Sequence, residues 1–194
     1  NMVCEFLGSH WYAVAGTAGL AFLAVCHIVY AFILTAQNRR ARGPQRYEVT
    51  SRRSEVSWAS QNMLVLGLII LVGLLLHLYN FWGHMQFAEL AHIEFAYGPA
   101  DGFAWIVYTF SNPVFSILYL IWICALWFHL THGFWSAMHT LGMSGKIWMQ
   151  RWQCFGMVYV TILMAVFVIL ILSFWLGFAP SMRQFINSNT SIII

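Results

Sequence analysis

Apolar residues run almost unbroken through four stretches, roughly 11–36, 58–83, 114–140 and 153–178, and polar residues collect between them. A bilayer hydrocarbon core about 30 Å thick takes roughly 20 helical residues at 1.5 Å each, so each stretch is long enough to span it. The pattern predicts an all-α integral membrane helical bundle with four transmembrane helices, filling residues 1–180 and leaving a tail, 181–194. Tryptophans stand near several predicted ends (Trp11, Trp58, Trp82, Trp148, Trp152 and Trp175), as amphipathic rings prefer the headgroup level. Asn112 and Pro113 open the third helix with a capping side chain and a residue that needs no amide donor.

Composition narrows the classes. Of 194 residues, 61% are hydrophobic and 8% charged, against about 45–50% and about 25% in soluble domains. Too few charges remain for a soluble catalytic domain, so the chemistry belongs in the bilayer, at its edge or to a partner. Cysteines at 4, 26, 124 and 154 form no CxxC or CxxCH, which indicates neither a zinc ribbon nor covalently attached haem. Cys26, Cys124 and Cys154 read as small buried hydrophobes. The helices lack Gly/Pro-interrupted halves and inverted repeats, which argues against a transporter. A net charge of +3 does not suggest nucleic acid.

Charge sets the orientation. Arg39, Arg40, Arg42, Arg46, Arg52 and Arg53 lie in the 37–57 loop, and Lys146 and Arg151 in the 141–151 loop on the same side, leaving Arg183 as the exception. By the positive-inside rule this side is cytoplasmic, and the 84–112 connection, with Glu89, Glu94 and Asp101, faces outward. The reading is a multi-pass membrane protein with its basic loops on the cytoplasmic side. Both chain ends then lie outside, yet no signal peptide precedes Asn1; a further helix upstream is expected.

The eight histidines divide by depth. His10, His84 and His92 fall at the outer rim or loop and read as solvated. His27, His77 and His129 lie inside apolar runs, where an ionisable residue is a functional candidate. His27, nine residues before the end of its helix at 36, is roughly 14 Å deep; His129, eleven before 140, is roughly 16 Å deep. They can face each other at one level. Two imidazoles so placed suit bis-histidine haem iron, for which bundle cores are a usual setting; a hydrogen bond between helices is the alternative. His77, six residues from the outer end, belongs to a second level without an equally placed partner.

Small residues flank these histidines one turn away: Gly133 after His129, Gly73 before His77, and Ala24 and Ala31 around His27. They fit a porphyrin edge or close helix packing equally well. His132, three residues from His129, is an alternative ligand or a neighbour of the haem edge. His139 and the Gln37, Asn38, Arg39, Arg40 group suit propionates or a docking partner; plain surface solvation is the alternative.

The segments EFLGSHWY, AVCHIVYAFILTAQNRRARGPQRYEV, ASQNMLVLGLIILVGLLLHLYNFW and FSNPVFSILYLIWICALWFHLTHGFWSAMHTLG carry a resemblance over residues 1–178. In this order they resemble the cytochrome b membrane-anchor subunit of succinate dehydrogenase and fumarate reductase, the five-helix type with two haems b. The resemblance implies one axial ligand on each of the family's first four helices, the first helix being the one expected upstream. His27 and His129 would ligate the inner haem, with His129 matching the ligand position better than His132, and His77 would share the outer haem with the upstream helix. One haem would thus be fully ligated by this chain.

The same resemblance implies an electron-transfer role. A flavoprotein and an iron-sulfur subunit docked on the basic face would interconvert succinate and fumarate, and this subunit, not catalytic for that reaction itself, would join them to a quinone, menaquinone in this subgroup. Glu5, at the outer start of the first helix, is by position the candidate quinone-site carboxylate; an interfacial carboxylate near a helix N-terminus is the alternative. Two other readings stay open: a haem-free structural anchor, and the cytochrome b subunit of another quinone-linked oxidoreductase.

Overall fold

The computed structural model describes residues 1–8, 10–43 and 57–178. Arg46, Arg52, Arg53 and the tail 181–194 lie outside the described residues. The chain is an all-α bundle, and four helices are long and apolar enough to cross a membrane. In chain order the elements are α1 (Met2–Gly8), α2 (Trp11–Arg42), α3 (Trp58–Gln61), α4 (Met63–His77), a π-helical segment (Leu78–Phe87), α5 (Ala88–Ala91), α6 (Gly102–Phe110), α7 (Pro113–Thr140) and α8 (Lys146–Trp175).

The ends of these helices follow local chemistry. Asn112 caps α7 as its sequence predicts, its side-chain oxygen accepting from the Val114 amide at 2.9 Å beside Pro113. Ser57 caps α3 by accepting from the Ser60 amide at 3.2 Å. Helix α2 runs to Arg42, beyond the predicted 36, because its polar last turns emerge into the headgroup zone, and Gly43 ends it at φ 68°. Helix α8 starts at Lys146, before the predicted 153, for the same reason.

The second span differs most from expectation. It does not stop at 83 but continues through the π-helical segment and α5 to Ala91. Wider winding lets the His84 side chain meet the Tyr79 carbonyl, Nδ1 to O 2.7 Å, and turns the Asn80 side chain into the bundle, where it is buried.

Helices α4, α7 and α8 form the packed body. Phe110, Tyr119, Ile123, Val160, Met164 and Ile171 make its main core, and Ala59, Leu66 and Ala125 a smaller one at the other end. In a membrane the apolar side chains gain little by leaving lipid, so close fit and polar cross-links decide packing. Phe134 lies on Gly156 of α8, and the Trp122 indole lies on Gly73 of α4. The Trp122 Nε1 donates to the Ile70 carbonyl at 3.1 Å, and the Trp127 Nε1 to the Thr161 hydroxyl at 2.9 Å. Each bond joins α7 to a neighbour.

Helix α6, which the sequence pattern placed within a connection, plugs one end of the body. Ala104, Trp105, Val107, Thr109 and Phe110 are buried, and the Ser116 hydroxyl ties α7 to the Phe110 carbonyl at 2.9 Å. The start of the chain is fastened here: the Asn1 side chain donates to Asp101 at 2.6 Å and accepts from the Phe103 amide at 3.1 Å. Helix α2 stands apart, with no buried residue in its most apolar stretch. Cys26, Cys124 and Cys154 are exposed on helix surfaces and free, not buried as expected; a thiol behaves as a small hydrophobe and is tolerated on a lipid-facing surface.

Candidate functional site

Across the space between α2 and α7, the His27 and His129 rings face each other with centroids 6.2 Å apart and planes at 75°. His27 is exposed on α2, and His129 is half-buried on α7. His129 carries its Nδ1 inward, buried and without a hydrogen-bond partner. An orphaned imidazole nitrogen at membrane depth costs free energy that a bound group can offset.

Two glycines border this pair. On α4, a Cβ added to Gly67 would sit 4.0 Å from His129 Cε1, so the imidazole rests against bare backbone. On α7, a Cβ added to Gly133 would meet nothing within 4 Å. Gly133 therefore borders open space one turn from His129. His132 points elsewhere: its Nδ1 lies 3.4 Å from the Ser57 hydroxyl and its ring 4.8 Å from Trp135.

The second level centres on His77. Its Nδ1 is also buried without a partner, and its ring is packed by Phe81 at 5.2 Å, Trp122 at 5.5 Å and Tyr119 at 6.3 Å. The Asn80 side-chain amide donates to the Tyr119 hydroxyl at 3.4 Å. Gly73, one turn before His77, is filled by Trp122, so plain helix packing accounts for its lack of a side chain. Among the described histidines, none pairs with His77 as His27 does with His129.

The remaining candidates are spread out. Glu5 is exposed on α1, at the α6 end of the molecule; Arg39 and Arg40 are exposed on the last turns of α2, and His139 on the last turn of α7. Of the rim histidines, His84 is not simply solvated: besides its bond to Tyr79 its ring lies 4.7 Å from Phe95 and 4.5 Å from Trp105. The His10 Nδ1 meets the Phe6 carbonyl at 2.6 Å. No three His, Cys, Asp or Glu side chains converge to hold a metal ion among the described residues.

Gly67, Ser57, Asn80 and Tyr119 were not singled out from the sequence. Asn80 had a usable signal, a polar side chain three residues after His77 in an apolar run. Gly67 had none, since a glycine in a membrane helix reads as packing.

An imidazole nitrogen binds a transition metal at about 2 Å and lies about 1 Å from its ring centre, so two axial imidazoles stand about 6 Å apart. The His27–His129 separation fits this, the space beside Gly133 admits the edge of a flat group, and the residues present fit a haem at this level. No protein-family model, curated protein or solved structure matches the chain.

Proposed function

We propose that the chain is a haem b electron-transfer subunit in a membrane, with His27 and His129 as axial ligands of one haem. The observation that carries this reading is the facing of the two imidazoles at 6.2 Å between helices that otherwise barely meet. A haem bound there would supply one-electron redox chemistry inside the bilayer. The protein's part is to hold both rings at one depth, to leave room beside Gly133, and to exclude water with the apolar faces of α2, α4 and α7. The buried, unpartnered Nδ1 of His77 supports a second haem whose other ligand comes from outside the described residues.

The resemblance in the four quoted segments extends the proposal. The complex is a succinate:quinone oxidoreductase or quinol:fumarate reductase of a bacterial inner membrane, and this subunit passes electrons between a quinone, menaquinone by the same likeness, and a flavoprotein and iron-sulfur pair. Basic side chains at one end, with Arg39, Arg40, Lys146 and Arg151 all exposed, suit an acidic docking partner there. Glu5 at the other end is the proposed quinone-side carboxylate. One feature favours a haem-free structural anchor instead: Trp122 already fills Gly73 beside His77.

A dithionite-reduced minus oxidised spectrum with haem counted per polypeptide decides between them. At least one low-spin haem b per chain, lost in His27→Ala and in His129→Ala, supports the proposal. Colourless protein that still assembles with its partners would give the role to the structural anchor. Co-purification of a flavin-containing subunit separates the succinate/fumarate complex from other quinone-linked cytochromes b.

A further inference from the structure

We infer that α2 is a hinged strap, held to the rest of the molecule at its Trp11 end and closed on the body of α4, α7 and α8 when one ligand joins His27 to His129. This role rests on the haem reading of that pair and adds a movement to it. Helix α7 is joined to α4 and α8 by close fit at Gly73 and Gly156 and by the bonds of Trp122 to the Ile70 carbonyl and of Trp127 to Thr161. Helix α2 has neither kind of link. Its most apolar stretch holds no buried residue, and a Cβ added at Gly16 or Gly19 would meet nothing within 4 Å. Its threonines turn back on their own helix, Thr17 donating to the Ala13 carbonyl at 2.9 Å and Thr35 to the Ala31 carbonyl at 2.8 Å. Among the described residues no hydrogen bond joins α2 to α4, α7 or α8, and the ring contact that crosses to them is His27 with His129, 6.2 Å between centroids.

An open α2 is physically sound in a bilayer. A membrane helix satisfies its backbone groups internally, so it needs no neighbour to stay folded in lipid. Apolar side chains gain little by exchanging lipid for protein, so close fit and polar links decide whether a helix docks. Ligation from both imidazoles supplies the link that the side chains of α2 do not. By reciprocity, whatever holds α2 closed also tightens ligand binding at the pair.

The pivot lies at the Trp11 end. Tyr12 packs on Phe6 and His10 at 6.1 and 4.9 Å. Helix α1 is in turn tied to the α6 plug by the bonds of Asn1 to Asp101 and Phe103 and by Cys4, which lies against Gly102. On a rigid helix rising 1.5 Å per residue, His27 stands about 24 Å and Ala41 about 45 Å from Trp11, so a displacement at His27 is roughly doubled at Ala41.

The test is double electron–electron resonance on the full chain in lipid nanodiscs, with keto-reactive nitroxide labels on p-acetylphenylalanine placed at Ala41 and Met143. Both positions are exposed and neither touches the histidine pair, and the free cysteines stay in place. Haem is counted on the same samples, and distances are recorded in the oxidised state, where the fast-relaxing ferric iron does not contribute to the nitroxide echo. The expected result is a broad distribution in chain prepared under haem limitation, collapse to one narrow peak once haem is added, and a broad distribution in His129→Leu with haem supplied. One narrow peak both before and after haem uptake would overturn the strap and leave the ligation standing. Wild-type chain that takes up no haem would overturn both.

Discussion

His27 on α2 and His129 on α7 stand 6.2 Å apart with ring planes 75° from each other. Nearly perpendicular axial imidazoles leave the iron orbitals close in energy, which gives a strongly anisotropic low-spin ferric signal rather than the rhombic one of coplanar rings. With the proposed haem held between these two rings, electron paramagnetic resonance of the oxidised protein should show that signal, and His27→Ala or His129→Ala should abolish it. A purely rhombic low-spin spectrum in wild type would mean that the rings rotate when the iron binds.

Gly73 and Gly133 are predicted to respond oppositely to alanine. At Gly73 the new methyl would overlap the Trp122 indole and disturb its bond to the Ile70 carbonyl, a cost of about 1–3 kcal/mol. At Gly133 there is nothing within 4 Å, and alanine in a helix gains up to about 1 kcal/mol over glycine. Unfolding of the haem-free protein in mixed micelles measures both. Haem content supplies the contrast, because Gly133→Leu should lower it without lowering haem-free stability, whereas a normal haem complement in that variant would place the porphyrin edge elsewhere.

The Asn80–Tyr119 bond is buried at the second level, and each partner removed alone strands the other. Asn80→Leu should cost about 1–3 kcal/mol through the unsatisfied Tyr119 hydroxyl. The double variant Asn80→Leu/Tyr119→Phe should recover part of that loss, with a coupling of about 0.6 kcal/mol, typical of hydrogen bonds between membrane helices. Strict additivity in the double-mutant cycle would show that the 3.4 Å contact contributes nothing.

Much of this architecture was legible in the sequence, and the omissions have physical reasons. Span length is read from runs of about 20 apolar residues, so Trp11, Pro113 and the capping Asn112 were visible. A nine-residue helix such as α6 passes below that filter, although Ala104 and Trp105 are among the most buried residues described. Helix continuation past Gly83 was hidden because it depends on His84 reaching the Tyr79 carbonyl and on Phe95 and Trp105, residues distant in sequence. Depth arithmetic put His27 and His129 at one level from helix rise alone, since two parallel helices ending at the same membrane surface have a common origin. The arithmetic carries no information on rotation about the helix axis, which is why Gly67 and Ser57 stayed invisible and why Gly73 remained open between two readings.

His129 and His132 lie within one turn but have different neighbours. His129 faces His27 and leaves its Nδ1 unpartnered, whereas His132 has the Ser57 hydroxyl 3.4 Å from its Nδ1 and Trp135 against its ring. Moving His132 to the iron would give up that contact and uncouple α7 from the residue that caps α3. His132→Leu is therefore expected to keep the full haem complement with a modest loss of stability, about 1 kcal/mol for one exposed hydrogen bond, and Ser57→Ala should cost a similar amount through the lost cap. His129→Leu should lose the haem with little change in the haem-free protein, because the leucine fills the space and removes an orphaned nitrogen. Haem stoichiometry measured beside unfolding in all three variants makes the assignment; haem lost in His132→Leu and retained in His129→Leu would reverse it.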